Sequence, residues 1–155
     1  MNALSCESPS TPLPPLRSVV PARVLLAEDD RDMREMIAGA LRVDGHHVDE
    51  AADGRTALLR IARAMSGANA YQLVISDIRM PICGGLEILQ DLRRSHTRIP
   101  MILMTAFGDE TMQAAARAQG AVLLNKPFDL DDLRVTVVSM IEPLRTPSRK
   151  RTSWS

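Results

Sequence analysis

Charged and polar side chains that could take part in catalysis or metal binding lie where short strand-like runs of this sequence end. Carboxylates follow the first and third runs, a hydroxyl ends the fourth, and an amine follows the fifth. They are Glu28, Asp29 and Asp30, then Asp77, Thr105 and Lys126. Two carboxylates about 4 Å apart repel by about 4 kcal/mol at an effective dielectric of 20. A cluster of these acids would therefore require protonation or a bound cation.

The mixture of groups suits a site that handles phosphate with the help of Mg²⁺. Magnesium takes oxygen ligands, keeps several of its waters and commonly partners phosphate oxygens. The Lys126 ammonium group is a compact positive charge for an incoming phosphoryl group. The Thr105 hydroxyl can donate a hydrogen bond to a phosphate oxygen. Because aspartate can act as a nucleophile that forms an acyl phosphate, the residues predict phosphoryl transfer with Mg²⁺ as the cofactor.

The elements that must position these groups alternate along the chain. Segments of strand length, at residues 23–28, 46–51, 71–76, 100–105 and 121–125, alternate with segments of helical periodicity, at residues 31–45, 54–65, 85–95, 109–120 and 129–142. Residues 46–51 form a weak strand, and the other four strand segments are mainly apolar. This alternation predicts an α/β fold with a parallel sheet. Strands that are apolar throughout indicate burial on both faces. Ligands of such sheets bind beyond the carboxyl ends of the strands, where the acids, Thr105 and Lys126 stand.

Composition argues for one globular domain without a strongly charged partner. The chain has 155 residues, of which 19 are Lys or Arg and 19 are Asp or Glu, so its formal net charge is zero. No whole-chain field therefore favours nucleic acid or an anionic membrane. Aromatic residues make up only 3%, which also argues against base stacking. We expect no direct nucleic-acid binding and no membrane association.

Proline and serine content sets the predicted domain bounds. Residues 1–21 form a Pro- and Ser-rich segment that is predicted to be disordered, residues 22–142 form the domain, and residues 143–155 form a basic tail. The two cysteines, Cys6 and Cys83, are too far apart in the sequence to suggest a disulfide framework or a zinc site. A reducing, cytoplasmic location is therefore expected.

Four segments of the chain resemble the receiver domain of two-component response regulators. They are LLAEDDRDMREMI, VISDIRMP, LMTA and NKPF, and they occur in the order that is typical of the family. The spacings are also similar, with 28 residues from Asp77 to Thr105 and 21 more to Lys126. The resemblance covers residues 22–142. It implies a flavodoxin-like receiver with the strand order 2-1-3-4-5 and helices on both faces of the sheet.

The resemblance implies a role for each acid. Asp77 is similar to the phosphoacceptor aspartate. Glu28 and Asp29 resemble the acidic pair that binds the metal together with Asp77, with Asp29 as a direct ligand, and Asp30 resembles the variable residue after the pair. Arg79 would contribute its backbone carbonyl to the metal. These residues are the metal and phosphoacceptor site that the sequence predicts.

Two further motifs resemble the family, and Leu123 and the pair Gly84-Gly85 depart from it. Thr105 and Lys126 match the hydroxyl and the amine that engage the phosphoryl group, and the bond from Lys126 to Pro127 is expected to be cis. Leu123 stands where many receivers carry a switching aromatic ring, so the usual threonine–aromatic readout is in doubt. The pair Gly84-Gly85 is expected to loosen the turn after the third strand.

The implied function is that of a signalling protein and not of an enzyme with turnover. Asp77 would receive a phosphoryl group from a sensor histidine kinase or a histidine phosphotransfer protein. The chain would catalyse only its own phosphorylation and dephosphorylation. The face formed by the fourth helix, the fifth strand and the fifth helix would then switch its protein contacts, and a homodimer through that face is possible.

Two alternatives from other classes remain open. One is a receiver-like module that binds its partner without phosphorylation, and the complete set of acid, threonine and lysine argues against it. The other is an aspartate-based phosphohydrolase, whose nucleophile normally has a second acid two residues later. Arg79 occupies that position here. The three histidines are interpreted as structural or solvated, because they lie away from the acidic edge.

Overall fold

The structure is a computed structural model, and it describes residues 20–65 and 69–142. Within these described residues, five strands alternate with five helices, as the sequence predicts. The strands are β1 (Arg23–Ala27), β2 (His47–Ala51), β3 (Leu73–Asp77), β4 (Met101–Thr105) and β5 (Ala121–Asn125). The helices are α1 (Arg31–Val43), α2 (Gly54–Arg63), α3 (Gly85–Arg94), α4 (Glu110–Ala118) and α5 (Leu130–Ile141). Predicted and observed bounds differ only at the ends of elements. The predicted tails, 1–21 and 143–155, lie outside the described residues except for 20 and 21.

All four strand pairings are parallel, and the sheet has the order β2-β1-β3-β4-β5. This confirms the predicted fold class and strand order. The register places Asp77 beside Met104 and Thr105 beside Asn125. The last residues of β3, β4 and β5 therefore stand together at the carboxyl edge of the sheet.

Helices cover both faces of the sheet and create two apolar clusters. One contains Leu25, Val74 and Leu103 with residues of α2 and α3, and the other contains Leu26 and Ile75 with residues of α1 and α5. Burying a side chain of this size stabilises the fold by about 1.5–3 kcal/mol. The prediction of strands buried on both faces is confirmed for β3 and β4, which are buried at every position. It is wrong for β5, because an edge strand has a neighbour on only one side. The weak strand predicted at β2 is likewise only partly buried.

Acidic caps begin three of the helices at the carboxyl edge of the sheet. The Asp30, Asp53 and Asp109 carboxylates accept backbone N–H hydrogen bonds of 3.0, 2.7 and 2.7 Å from the first turns of α1, α2 and α4. Such a cap stabilises a helix by about 1 kcal/mol. Because each of these helices starts just after a strand ends, its cap adds negative charge to the edge that carries the predicted site.

Candidate functional site

Three carboxylates meet at the carboxyl edge of the sheet. One oxygen from each of Glu28, Asp29 and Asp77 lies within 4.8 Å of the other two. Glu28 is 1% exposed and Asp77 is 8% exposed, whereas Asp29 is open to solvent. Among residues 20–65 and 69–142, this is the one group of three or more His, Cys, Asp or Glu side chains that could hold a metal ion. The structure therefore brings together the three side chains that the sequence predicts as metal ligands.

Lys126 lies between two of these acids. Its Nζ atom donates to Glu28 Oε2 at 3.1 Å and to Asp77 Oδ2 at 3.0 Å. The bond from Lys126 to Pro127 is cis, as the resemblance implies. The backbone N–H of Lys126 donates to the Thr105 carbonyl at 2.7 Å, which ties the start of the loop to the end of β4. Three ionised carboxylates against one ammonium group leave two excess negative charges.

The pKa of Glu28 is raised in this cluster. Burial raises this pKa from 4.5 to about 7, although hydrogen bonds from the Asp30 backbone N–H and from Lys126 oppose the rise. The rise to about 7 includes a smaller contribution from the nearby negative charge of Asp77. For Lys126, burial disfavours the charged form, but the hydrogen bonds to Asp77 and Glu28 outweigh burial and raise its pKa. The lysine therefore stays charged, and the cluster gains stability by binding a proton or a cation.

The Asp77 carboxylate is held in place by its neighbours. The Arg79 backbone N–H donates to Asp77 Oδ1 at 3.2 Å, while Lys126 holds Oδ2. A Cβ on Gly84 would lie 2.1 Å from the Ile78 carbonyl oxygen, and a Cβ on Gly85 would lie 2.8 Å from the Asp77 carbonyl oxygen. The predicted loosening of this turn by the two glycines stays a prediction, and the distances show a further role for them. They let the start of α3 pack directly against the end of β3.

Thr105 and Arg79 have partners that the sequence did not indicate. The Thr105 hydroxyl oxygen accepts a hydrogen bond of 3.2 Å from the Phe107 backbone N–H, and its side chain is buried. The Arg79 guanidinium carbon lies 5.4 Å from the centre of the exposed Phe107 ring, which is a cation–π contact between two loops at the site. The predicted roles, a phosphoryl contact for Thr105 and a metal contact for the Arg79 carbonyl, stay predictions.

Leu123 lies near Thr105. A Cβ on Gly108 would lie 2.8 Å from Leu123 Cδ2 and 2.9 Å from Thr105 Cγ2, so both side chains line the same narrow space. Leu123 is partly buried and packs against the core cluster that contains Leu25. A leucine at this position fills the space with methyl groups. The effect of replacing the aromatic ring on the readout stays a prediction.

The turn after Asp77 contains a strained residue. Ile82 has φ = 73° and is 80% exposed. A positive φ costs an ordinary L-residue about 1–2 kcal/mol and is a genuine outlier for a β-branched one. We expect Ile82→Gly to raise the free energy of unfolding by about 1 kcal/mol, because glycine adopts this φ without strain. The gain is smaller than the full cost of the strain, since glycine loses more backbone entropy on folding than isoleucine does.

Urea unfolding measures this change, and His96 provides the matched control. His96 is also exposed and has φ = 57°, but histidine is not β-branched and tolerates this region better. We expect His96→Gly to stabilise the domain less than Ile82→Gly does. An Ile82→Gly variant that is less stable than the wild type would show that the φ of Ile82 causes no strain.

The remaining candidates lie away from the acidic edge. His46 is buried and its Nδ1 atom accepts the Ala22 backbone N–H at 3.1 Å, which confirms a structural role for this histidine. None of the helices within residues 20–65 and 69–142 is long and apolar enough to cross a membrane.

The fold and the site together define a flavodoxin-like domain with a lysine-bridged acid cluster at the carboxyl edge of its sheet. Residues 24–138 match the family model described as the response regulator receiver domain. The chain therefore belongs to the receiver domain family of response regulators.

Curated relatives agree with this membership. The regulatory protein AtoC of Escherichia coli (strain K12) is 37% identical over 116 residues, which cover 74% of this chain and 24% of AtoC. The transcriptional regulatory protein TcrA of Mycobacterium tuberculosis is 37% identical over 128 residues, which cover 81% of this chain and 49% of TcrA. The chain thus spans at most about half the length of these two relatives.

Solved structures show the same fold. The receiver domain of the Francisella response regulator 1452 superposes with a TM-score of 0.73 at 26% identity, and the match covers 80% of this chain and 99% of that domain. NtrX from Brucella abortus, crystallised in complex with ADP, superposes with a TM-score of 0.69 at 28% identity, and the match covers 80% of this chain but only 28% of NtrX. The first structure is therefore a receiver alone, and the second is a longer protein that includes one.

Proposed function

We propose that this chain accepts a phosphoryl group on Asp77 from the phosphohistidine of a sensor histidine kinase or of a histidine phosphotransfer protein, in a Mg²⁺-dependent reaction. Response regulators are the partners of histidine kinases, and this chain belongs to their receiver family. The observation that carries the proposal is the double contact of Lys126 with Glu28 and Asp77 in a cluster that also contains Asp29. This arrangement presents an oriented carboxylate beside a fixed positive charge.

The residues fit a magnesium ion. The donor set consists of carboxylate oxygens, which hard divalent cations prefer, and its two excess negative charges match the charge of Mg²⁺. Glu28, Asp29 and Asp77 would hold the ion, with the Arg79 carbonyl as a further ligand. When bound, Mg²⁺ supplies positive charge that stabilises the phosphoryl oxygens during transfer.

The chain's own residues account for the covalent step. An Asp77 carboxylate oxygen attacks phosphorus and forms a P–O bond, while the P–N bond to the donor imidazole breaks and its electron pair returns to the imidazole nitrogen. Lys126 keeps the carboxylate oriented before transfer and offers its charge to the phosphoryl oxygens afterwards. The protein is changed by the reaction, so it is a phosphoacceptor and not an enzyme that turns over a substrate.

The proposed output is a change at the face formed by α4, β5 and α5. Thr105 ends β4 next to the loop that leads to α4, so movement of its hydroxyl toward a phosphoryl group would shift that loop. The same face exposes the apolar side chains of Val122 and Val135. These exposed residues support a face that binds a partner protein or a second copy of the chain.

The proposal gives the chain a cytoplasmic location and no direct nucleic-acid contact. The activity of a whole protein that contained this domain would depend on what else it carries. TcrA is named as a transcriptional regulatory protein, and this chain matches only 49% of it. We propose that any contact with nucleic acid would belong to a part other than residues 22–142.

Labelling with a small phosphodonor tests the proposal without the partner kinase. The chain is incubated with radiolabelled phosphoramidate, which has a P–N bond like that of phosphohistidine, with Mg²⁺ or with EDTA. We expect labelling only with Mg²⁺, and we expect the label to be released by hydroxylamine, which cleaves acyl phosphates. The absence of labelling with Mg²⁺ would contradict the proposal and would favour a module that binds its partner without phosphorylation.

A further inference from the structure

We propose that Arg34 positions the acidic segment, and that its guanidinium group holds the backbone of Glu28 so that the carboxylates face the metal site. The inference rests on the proposed binding of Mg²⁺ by Glu28, Asp29 and Asp77. Arg34 lies in α1, and its Nη1 atom donates to the Glu28 backbone carbonyl oxygen at 2.8 Å. The contact is therefore made to the backbone of the segment and not to a carboxylate of the site.

The position of this contact lets it control the orientation of two acidic side chains. The Glu28 carbonyl belongs to the peptide group that joins Glu28 to Asp29, so holding it fixes the point from which the two acidic side chains diverge. The Arg34 side chain is 16% exposed, which protects the hydrogen bond from competition by water. A hydrogen bond with a charged donor is stronger than one between two neutral groups.

Arg34 completes the set of contacts around Glu28. The Glu28 backbone N–H donates to the Ala51 carbonyl at 3.0 Å. Its two carboxylate oxygens accept from the Asp30 backbone N–H at 3.1 Å and from Lys126 Nζ at 3.1 Å. Of these four contacts, the one from Arg34 anchors the segment to α1 through a side chain. Its loss would free the carbonyl that lies between the two acids.

Glu50 on the edge strand β2 orients the arginine. Arg34 Nε lies 3.4 Å from Glu50 Oε1, and Arg42 Nη2 lies 3.1 Å from Glu50 Oε2. Arg42 also donates to the Val48 carbonyl at 2.8 Å. The two arginines therefore share a helix, a charge and a carboxylate partner. They differ in the carbonyl that they bind, and this makes Arg42 a matched control.

Positioning and simple charge predict opposite effects on Mg²⁺ affinity. As a positive charge near the site, Arg34 repels a divalent cation, so its removal would strengthen binding. As the group that orients the acidic segment, its removal weakens binding. Residues that orient metal ligands typically contribute tenfold or more to metal affinity. The sign of the change therefore separates the two roles.

The experiment measures Mg²⁺ binding to the full chain by calorimetry and its stability by urea unfolding, for the wild type, Arg34→Met and Arg42→Met. Methionine keeps most of the apolar stem and removes both the charge and the donor. We expect Arg34→Met to weaken Mg²⁺ binding about tenfold and Arg42→Met to leave it within about twofold. Arg34→Lys keeps one donor group and should recover part of the lost Mg²⁺ affinity. If Arg34→Met does not fold, Arg34→Lys replaces it in the comparison with the wild type.

Two results would overturn the inference alone. They are an Arg34→Met variant that binds Mg²⁺ as tightly as the wild type or more tightly, and an equal loss in Arg42→Met. Failure of the folded wild type to bind Mg²⁺ is a different outcome. It would overturn the proposed function, and this inference with it.

Discussion

Asp77→Asn is expected to reduce labelling by phosphoramidate to background. The side-chain amide has the shape of the carboxylate but no negative charge, so it cannot attack phosphorus and leave a stable acyl phosphate. The fold should survive the change. Asp77 is one of the charges that raise the pKa of Glu28, and its removal relieves repulsion within the cluster while Lys126 keeps its contact with Glu28.

The matched control for this prediction is Asp53→Asn. Asp53 also lies at the carboxyl edge of the sheet, just beyond β2, and caps α2 through a hydrogen bond of 2.7 Å. Asparagine caps a helix about as well as aspartate, so stability should change little. We expect normal labelling of Asp53→Asn in the presence of Mg²⁺. Undiminished labelling of a folded Asp77→Asn variant would mean that another group, such as Asp29, accepts the phosphoryl group.

The parts of the fold that could be predicted are those that depend on local patterns. Apolar runs such as LVIS and MILM predict strands that are buried on both faces of the sheet, and the strands that contain them, β3 and β4, are buried at every position. The acids at the strand ends could be found because parallel strands end at a common edge, which places Asp77 and Glu28 together whatever the details of packing. The same patterns overstate the burial of β5, because hydrophobicity alone does not tell an edge strand from a central one.

The contacts that could not be predicted join residues that are distant in the sequence or depend on one backbone angle. The common edge of the strands predicts that Lys126 lies near the acids, but its hydrogen bond to Glu28, 98 positions away, depends on side-chain packing that the sequence does not show. Nothing in the composition of α1 indicates that Arg34 binds a carbonyl of the acidic segment while Arg42 does not. The positive φ of Ile82 is equally hidden, since an isoleucine in a sequence predicts the opposite conformation.

The buried ion pair between Arg134 and Asp44 is the second place where a large effect is expected. Arg134 Nε donates to Asp44 Oδ2 at 2.7 Å and Arg134 Nη2 donates to Asp44 Oδ1, so the pair is bidentate. Arg134 is 4% exposed and Asp44 is 7% exposed. The pair joins α5 to the turn after α1. Because α5 belongs to the proposed output face, this contact also anchors the element whose movement would carry the signal.

Arg134→Met is expected to lower the free energy of unfolding by about 3 kcal/mol, the lower end of the range for breaking a buried pair. The loss arises because the Asp44 carboxylate would stay buried without its partner. The lower end applies because Asp131, the second carboxylate that contacts Arg134 at 3.3 Å, is half exposed and stays hydrated when the arginine is removed.

Urea unfolding of Arg134→Met, Asp44→Asn and the double variant measures this effect. The double variant should lose less than the sum of the single losses, because the neutral amide that replaces the Asp44 carboxylate buries no charge when the arginine is absent. Arg31→Met provides the surface control, since the pair of Arg31 with Glu35 is exposed to solvent, and it should leave stability unchanged. If Arg134→Met were as stable as the wild type, the pair would not anchor α5. Normal Mg²⁺-dependent labelling of folded Arg134→Met would show that the loss of stability comes from weaker anchoring of α5 and that the acid cluster is intact.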